Sequence, residues 1–256
     1  MITILFDYLQ KWEIKLVNKL NSPKGQIVSF VAILLFGTVC RVLHYGLNYG
    51  YYHRDENTYL YRIAVADKFG MSYSGSIYFL IFTGTLFPPE CVEPGLRCCS
   101  LIYSIAGMIL MYFLLSRVFS SRQWGLAGMF VMALNPYLIR NSMSVLREPF
   151  YILVFITVLY LCVCYVQRKL NSDVAALLCA VLSCLGLWSR WEGVELMMFF
   201  PFALIYSKTV MRIAWKKVLR AGTIYAVMLG LSFCILLFSF PSLLSRMMEK
   251  IIINVL

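Results

Sequence analysis

Charged residues and histidines are scarce in this sequence of 256 residues. Lysine, arginine, aspartate and glutamate together make up 14% of it, against 61% hydrophobic residues, and there are two histidines. A soluble core of this length cannot hide so much apolar surface, which excludes a soluble globular domain and predicts an integral membrane protein. Two histidines exclude a histidine-rich metal centre, and no CxxC or Cys/His spacing of a zinc site occurs.

Acidic residues are also scarce, with 12 against 23 basic ones and a net charge of +11. If the N-terminus is cytosolic and the apolar segments alternate in direction, the cytosolic segments hold thirteen bases and three acids, and the outer segments nine of each. This positive-inside asymmetry predicts a multi-pass membrane protein with a cytosolic N-terminus. It accounts for the basic charge without a nucleic-acid partner, and we expect none.

Long apolar runs fill most of the chain. Seven runs contain no Asp, Glu, Lys or Arg: residues 26–40, 98–116, 123–139, 149–167, 174–189, 196–207 and 221–245. A spanning helix needs roughly 17–25 apolar residues, so we predict about seven transmembrane helices, with the short sixth run starting near Trp191. The fold class is therefore an all-α integral membrane protein, a single transmembrane module over residues 25–245.

Three further segments complete this plan. Residues 1–24 show apolar residues at helical spacing with lysines between them, which predicts an amphipathic helix on the cytosolic surface. The outer loop 47–97 is predicted to contain two interfacial helices, about 57–69 and 76–87, between the first and second spans. Residues 246–256 are predicted to form an outer-side tail. In the outer loop, Cys91 could form a disulfide with either Cys98 or Cys99.

The densest group of charges follows the first span and consists of His53, Arg54, Asp55 and Glu56. An acid just before a helix can act as an N-terminal cap, which would explain Asp55 without a functional role. Capping needs one acid, whereas this stretch presents four ionisable groups in a row. We therefore interpret it as the centre of a site on the outer side.

Other charges at outer helix ends could join that site. They are Arg41, Arg97, Arg147, Glu148, Arg190 and Glu192. Guanidinium groups bind phosphate through two parallel hydrogen bonds, and a nearby carboxylate can act as a general base. Two simpler interpretations stay open: Arg41 could extend to lipid phosphate, and the neighbours Arg147 and Glu148 could form an ion pair without a role.

The order of these motifs resembles the polyprenyl-phosphate-sugar-dependent glycosyltransferases of the GT-C superfamily, in the protein-mannosyltransferase and aminoarabinose-transferase branch. The resemblance covers about residues 26–240. It rests on Arg41, DENTY at 55–59, a second surface helix at 76–87, Arg97, NPYLIRNSMSVLRE at 135–148 and LWSRWEG at 187–193.

The resemblance implies an enzyme that transfers a sugar from a polyprenyl-phosphate donor to a hydroxyl acceptor on a protein, lipid or glycan. Asp55 would be the general base and Glu56 would orient the acceptor. The implied substrate-binding residues are Arg41, His53, Arg54, Tyr59, Arg97, Arg147, Glu148, Arg190 and Glu192. No metal site is predicted. A divalent cation would fit the carboxylates, although no ligand spacing requires one.

Two other functions remain as alternatives. A transporter or flippase of lipid-linked sugars would also need a basic lateral cavity, but it usually shows paired repeats, which this sequence lacks. A non-catalytic membrane subunit would use its charges for assembly with partner subunits. For the enzyme, the expected location is the bacterial inner membrane or the endoplasmic reticulum, with the site on the outer or lumenal side.

Overall fold

The computed structural model describes residues 22–48, 57–61, 83–84 and 86–239, and these residues contain helices but no strand. The α-helices are α1 (Pro23–Leu47), α2 (Val92–Val118), α3 (Arg122–Leu134), α4 (Pro136–Asn141), α5 (Glu148–Val166), α6 (Ser172–Ser189), α7 (Leu196–Thr209) and α8 (Trp215–Ser239). Two 3₁₀ turns, Pro89–Cys91 and Trp191–Glu195, precede α2 and α7. The predicted all-α class is confirmed for this part of the chain.

Five helices of the described residues are long and apolar enough to cross a bilayer. They are α1, α2, α5, α6 and the segment Trp215–Ile235 of α8, with mean hydropathies between 1.7 and 2.3. Large apolar side chains on these helices face outward, as shown by Ile27 and Leu35 on α1 and Ile235 on α8, each more than 60% exposed. Because such a surface is stable only in contact with lipid, the chain is an integral membrane protein with several spanning helices.

The predicted third and sixth spans do not form single long helices. The third, 123–139, is divided at Asn135, whose backbone is extended (φ −64°, ψ 115°), because Pro136 cannot donate the hydrogen bond that would continue α3. The sixth is α7, a helix of 14 residues with Pro201 inside it. Fourteen residues rise about 21 Å, which is less than the apolar thickness of a bilayer. The count of seven spans therefore remains a prediction.

The basic stretch before the seventh apolar run belongs to the helix that contains this run, because Trp215 is the first residue of α8. The lysines and arginine at 216, 217 and 220 thus occupy the first turns of a spanning helix. Their long aliphatic stems allow their charges to reach the headgroup level from such a position.

Capping residues fix several helix starts. The Ser22 side chain accepts a hydrogen bond from the Gly25 backbone N–H at 3.0 Å, and Pro23 follows as the first residue of α1. Asn171 caps α6 in the same way by accepting from the Asp173 N–H at 2.8 Å. Pro149 was predicted to open the fourth span, and α5 begins one residue earlier at Glu148.

Helix α5 lies between two groups of packed helices. On one side Val158 packs with Cys179 of α6 and Phe200 of α7 in a core that also reaches α8. On the other side Ile156 packs with Met108 of α2 and Met129 of α3. The buried face of α6 consists of small residues such as Ala176, Ala180 and Gly186, which allow close approach of helices where lipid supplies no hydrophobic driving force.

Charged residues mark the two ends of this bundle. At one end Arg190, just after α6, contacts Glu148 at the start of α5; we call this the Glu148 end. At the other end Arg168, just after α5, donates to the Met211 carbonyl oxygen; we call this the Arg168 end. Since α5 has 19 residues, the two ends are separated by about 28 Å.

Several predicted segments lie outside the described residues. These are the surface helix up to residue 21, the tail 246–256 and most of the two interfacial helices. Residues 57–61, which belong to the first of those helices, are helical. Cys91, Cys98 and Cys99 are free thiols in the structure, so neither of the two disulfides considered is formed.

Candidate functional site

Arg190 joins two carboxylates at the Glu148 end. Its Nη1 donates to Glu148 Oε1 at 2.5 Å, across 42 positions of sequence. Its Nε and Nη2 donate to the two carboxylate oxygens of Glu192 at 3.1 and 2.9 Å. A guanidinium has donors along three edges, so one arginine can hold two acids at the same time.

The turn after α6 makes this arrangement possible. Arg190 has an extended backbone and is followed by the 3₁₀ turn Trp191–Glu195. A Cβ on Gly193 would lie 2.3 Å from both the Gly186 carbonyl carbon and the Leu187 nitrogen, so only glycine allows the turn to lie directly against α6. This close approach places the Glu192 carboxylate next to the Arg190 guanidinium.

The Arg190–Glu192 pair is strongly charged. Hydrogen bonds from Arg190 lower the pKa of Glu192 from 4.5 to about 2, although partial burial opposes this shift. The same hydrogen bond with Glu192 raises the pKa of the Arg190 guanidinium. Both groups are therefore ionised at every physiological pH.

Glu148 has one carboxylate oxygen left for another partner. Its side chain is 17% exposed and is held through Oε1 by Arg190. The second oxygen, Oε2, is buried and has no hydrogen-bond partner among the described residues. A buried carboxylate oxygen without a donor is costly, which makes this atom a natural acceptor for a ligand hydroxyl.

Arg147 lies beside this cluster and contacts Tyr59, in the segment between α1 and α2. Its Cζ lies 5.4 Å from the centroid of the Tyr59 ring, within the range of a cation–π interaction. Its Nη1 is 3.5 Å from the Ser189 carbonyl oxygen, next to Arg190. Tyr59 is 8% exposed and packs with Leu96, Val145 and Leu146. The structure thus brings Tyr59, Arg147, Glu148, Arg190 and Glu192 together, with Glu148 bound to Arg190 and not to its neighbour Arg147. The substrate-binding roles of these residues stay predictions.

Arg97 lies at the same end but is occupied by protein groups. Its Nε and Nη2 donate to Glu93 Oε1 at 3.0 and 2.9 Å, and its Nη1 donates to the Met143 carbonyl oxygen at 2.8 Å. The Tyr45 ring centroid is 5.2 Å from its Cζ. Arg97 therefore connects α1, α2 and the loop before α5, and it is 7% exposed.

Arg41 is fully buried and lies among the helices rather than at the lipid headgroups. Its Nε donates to Ser104 Oγ at 2.8 Å, and its Nη1 donates to the Gly37 carbonyl oxygen at 2.8 Å. Nη1 and Nη2 also reach the carbonyl oxygens of Ala133 and Met132, at 3.4 and 3.1 Å. The substrate-binding role predicted for Arg41 stays a prediction, and these contacts give the residue a packing role instead of extension to lipid phosphate.

The two predicted catalytic residues, Asp55 and Glu56, lie outside the described residues, as do His53 and Arg54. Asp55 precedes Tyr59 by four positions in the sequence. The roles predicted for these four residues stay predictions.

Two contacts were not predicted from the sequence: those of Tyr151 at the site, and that of the Met132 carbonyl oxygen with Arg41. Tyr151 donates through its hydroxyl to the Glu192 carbonyl oxygen at 3.3 Å, and its ring lies 5.9 Å from Arg190 Cζ. Tyr151 follows Glu148 by three residues, which places both on one face of α5, so helical spacing could have identified it. The Met132 carbonyl could have been found from Pro136, which removes the donor that Met132 would use in a continuous helix.

No group of three or more His, Cys, Asp or Glu side chains that could hold a metal ion occurs within the part of the chain that the structure describes. Glu148 and Glu192 are both bound by Arg190. What the site offers is therefore a set of guanidinium donors with one open carboxylate oxygen.

The described fold and site define an all-helical membrane protein with an arginine and carboxylate cluster at one end of its bundle. Comparison of the chain with protein-family models, with curated proteins and with solved structures gives no match.

Proposed function

We propose that the protein is a membrane glycosyltransferase that moves a sugar from a polyprenyl-phosphate donor to a hydroxyl acceptor at the outer or lumenal face. The observation that supports it is the cluster of Arg147, Glu148, Arg190 and Glu192 around one helix end, next to Tyr59 of the outer loop. Such a position, at the end of spanning helices, suits a substrate whose lipid tail lies in the bilayer and whose phosphate lies at its edge.

In the proposed reaction Asp55 accepts the proton of the acceptor hydroxyl. The hydroxyl oxygen forms a bond to the anomeric carbon while the bond from that carbon to the phosphate oxygen breaks, and the electron pair leaves with the polyprenyl phosphate. Negative charge grows on the phosphate in the transition state, and Arg147 and Arg190 stabilise it there. Glu148 Oε2 would accept a hydrogen bond from a sugar or acceptor hydroxyl.

Charge balance adds one requirement to donor binding. Arg147 and Arg190 together match the charges of Glu148 and Glu192, so the described cluster has no excess positive charge. Because Arg190 already donates to both acids, a phosphate that binds Arg190 needs to displace one of them. Glu192 is the more exposed of the two, at 52% against 17% for Glu148, and we assign the displacement to it.

The test is turnover by the purified full-length chain with a labelled polyprenyl-phosphate sugar and a set of hydroxyl acceptors. Asp55→Asn should abolish transfer while donor binding and thermal stability stay near those of the unmodified protein. Near-normal turnover in that variant would remove Asp55 from the mechanism. Absence of both transfer and donor binding in the unmodified protein would remove the proposed function.

A second candidate is a non-catalytic membrane subunit, and one observation favours it. Arg41, Arg97 and Arg190 all donate to acceptors within the chain, as charges that only stabilise the protein would do. In that case the purified chain would neither bind the donor nor turn it over, but it would copurify with partner subunits whose activity depends on it.

A further inference from the structure

A second basic region lies at the Arg168 end, away from the proposed active site. The loop 167–171 between α5 and α6 and the loop 210–214 between α7 and α8 line an open surface cavity of about 610 Å³. This volume is typical of small-molecule sites, which measure roughly 300–1,000 Å³. The charged side chains that line the cavity are Arg168, Asp173, Arg212, Lys217 and Arg220.

The cavity has a clear excess of positive charge. Arg220 forms an ion pair with Asp173, the one acid of the lining, at 2.6 Å. Three of the lining cations, Arg168, Arg212 and Lys217, therefore exceed the acidic charge. Helices α6 and α8 both begin at this end, at Ser172 and Trp215, so the positive ends of their dipoles add to the field.

Two of the arginines are held in backbone conformations that favour glycine. Arg168 has φ 57° and Arg212 has φ 51°. Arg168 ends α5 in a motif where its N–H bonds to the Tyr165 carbonyl and the Lys169 N–H bonds to the Cys164 carbonyl, a position usually taken by glycine. A left-handed conformation is unfavourable for a residue with a Cβ, so arginine at these positions needs a compensating contact from its side chain.

Part of that gain is visible as a contact between the two loops. Arg168 Nη2 donates to the Met211 carbonyl oxygen at 3.1 Å, next to Arg212. The contact keeps the two loops together and leaves Arg168 and Arg212 on the lining of the same cavity. Two arginines and a lysine around one opening provide the forked and single donors that phosphate oxygens accept.

We propose that this cavity binds a phosphate group, carried either by an anionic lipid headgroup or by a soluble phosphate compound. The site lies about 28 Å from the Glu148 end, at the other ends of α5 and α6. It uses none of the residues assigned to sugar transfer. This inference therefore does not rest on the proposed function and stands or falls separately.

The test uses the full-length chain in phosphatidylcholine nanodiscs with two probes, spin-labelled phosphatidic acid in the bilayer and inorganic phosphate in solution. The pocket variant is Arg212→Gln with Lys217→Gln, both on the lining. The matched control is Lys169→Gln with Lys216→Gln, which removes the same charge from adjacent positions. Loss of two charge-assisted contacts should weaken probe binding at least about tenfold in the pocket variant, and the control should change it less than about twofold.

The two probes separate the sources of the phosphate. If the protein immobilises phosphatidic acid and millimolar phosphate does not displace it, the natural ligand is a lipid headgroup. If inorganic phosphate binds to the protein in pure phosphatidylcholine, the natural ligand is a soluble phosphate compound. Equal weakening in the pocket and control variants would overturn the proposal, because general surface charge would then explain the binding. So would the absence of binding of both probes to the unmodified protein. If the pocket variant does not fold, Lys217→Gln replaces it, with Lys216→Gln as its control, and it should weaken probe binding several-fold more than that control does.

Discussion

Arg41 Nη2 donates to the Met132 carbonyl oxygen at 3.1 Å and so caps the end of a helix that a proline has interrupted. In a continuous helix the N–H of residue 136 would bond to this carbonyl, but Pro136 has none. The negative end of the α3 dipole lies at the same place, which favours a cation. The burial of Arg41 and the break between α3 and α4 thus have one explanation, because the arginine satisfies the carbonyl that the proline leaves open.

Replacement of Arg41 by Met should destabilise the protein. Met fills a similar space but leaves the Met132 and Ala133 carbonyls without this donor, and each buried unsatisfied acceptor costs about 1–3 kcal/mol. The desolvation cost of the charge disappears at the same time, so we expect a net loss of about 2 kcal/mol. The measurement is thermal unfolding of the purified protein in detergent.

Arg122→Met is the control for that substitution. Arg122 is exposed and donates to the Gln26 side chain at 3.2 Å, so its loss should change stability by less than about 0.5 kcal/mol. Equal unfolding temperatures for the two variants would contradict the capping role of Arg41.

Gly37 allows α1 to approach α3 closely enough for the Arg41 contacts to form. A Cβ on Gly37 would lie 2.9 Å from Ala133 Cβ and 3.0 Å from Met108 Sδ. Gly37→Ala should therefore cost about 1–3 kcal/mol through overpacking, despite the higher helix propensity of alanine. Gly46→Ala is the control, since nothing lies within 4 Å of its added Cβ.

A second substitution makes the Gly37 prediction specific. Ala133→Gly removes the atom that the new Cβ would meet, so it should recover part of the stability lost in Gly37→Ala. Additive effects of the two substitutions would show that the contact between them does not carry the cost.

Much of the helical structure could be predicted from sequence because its signals are local. Long apolar runs identify α1, α2, α5 and α6. The boundary predicted between residues 24 and 25 is two residues late, because Ser22 caps a helix that begins at Pro23. Pro136 indicates the break at Asn135, because proline removes a backbone donor, but it does not show which group satisfies the carbonyls that are left open. Arg41 does so from a different helix, at a distance of 91 residues in sequence.

The pairing within the candidate site could not be predicted for a related reason. Helix α5 is apolar around its whole circumference, so its pattern does not show which face meets α6. The sequence placed Arg147 and Glu148 side by side and suggested a pair between them. In the structure Glu148 instead pairs with Arg190. The small buried residues of α6 allow close packing against α5, and the turn at Gly193 lies directly against α6, which places Arg190 next to the start of α5.

Acid should remove the contribution of the Arg190–Glu192 pair only at very low pH. Since the pKa of Glu192 is lowered from 4.5 to about 2, the stability it contributes is fully present above about pH 4.5 and is lost as the pH falls towards 2. The difference in unfolding temperature between the unmodified protein and Glu192→Gln should therefore be constant from pH 7 to about 4.5 and then shrink. A difference that already fades between pH 7 and 5 would contradict the pairing.

Arg190→Lys should separate the geometry of the site from its charge. Lysine keeps the positive charge but cannot bond to Glu148 and to both oxygens of Glu192 at once. If the proposed transfer activity exists, we expect kcat/KM for the donor to fall about a hundredfold, a loss of about 2.7 kcal/mol in transition-state stabilisation. Arg140→Lys, at a residue that contacts the Tyr137 ring, should leave kcat/KM nearly unchanged.

Displacement of Glu192 by the donor phosphate predicts an unusual gain in binding. Glu192→Gln removes the charge that competes for Arg190, so donor should bind more tightly, by about tenfold if one charge-assisted interaction is released. Glu148→Gln should instead reduce turnover, because the acceptor at the buried Oε2 position would lose its negative charge. Donor affinity is measured by displacement of a labelled polyprenyl phosphate, and turnover in the same preparation. Weaker donor binding in Glu192→Gln would show that this acid orients Arg190 for the phosphate instead of competing with it.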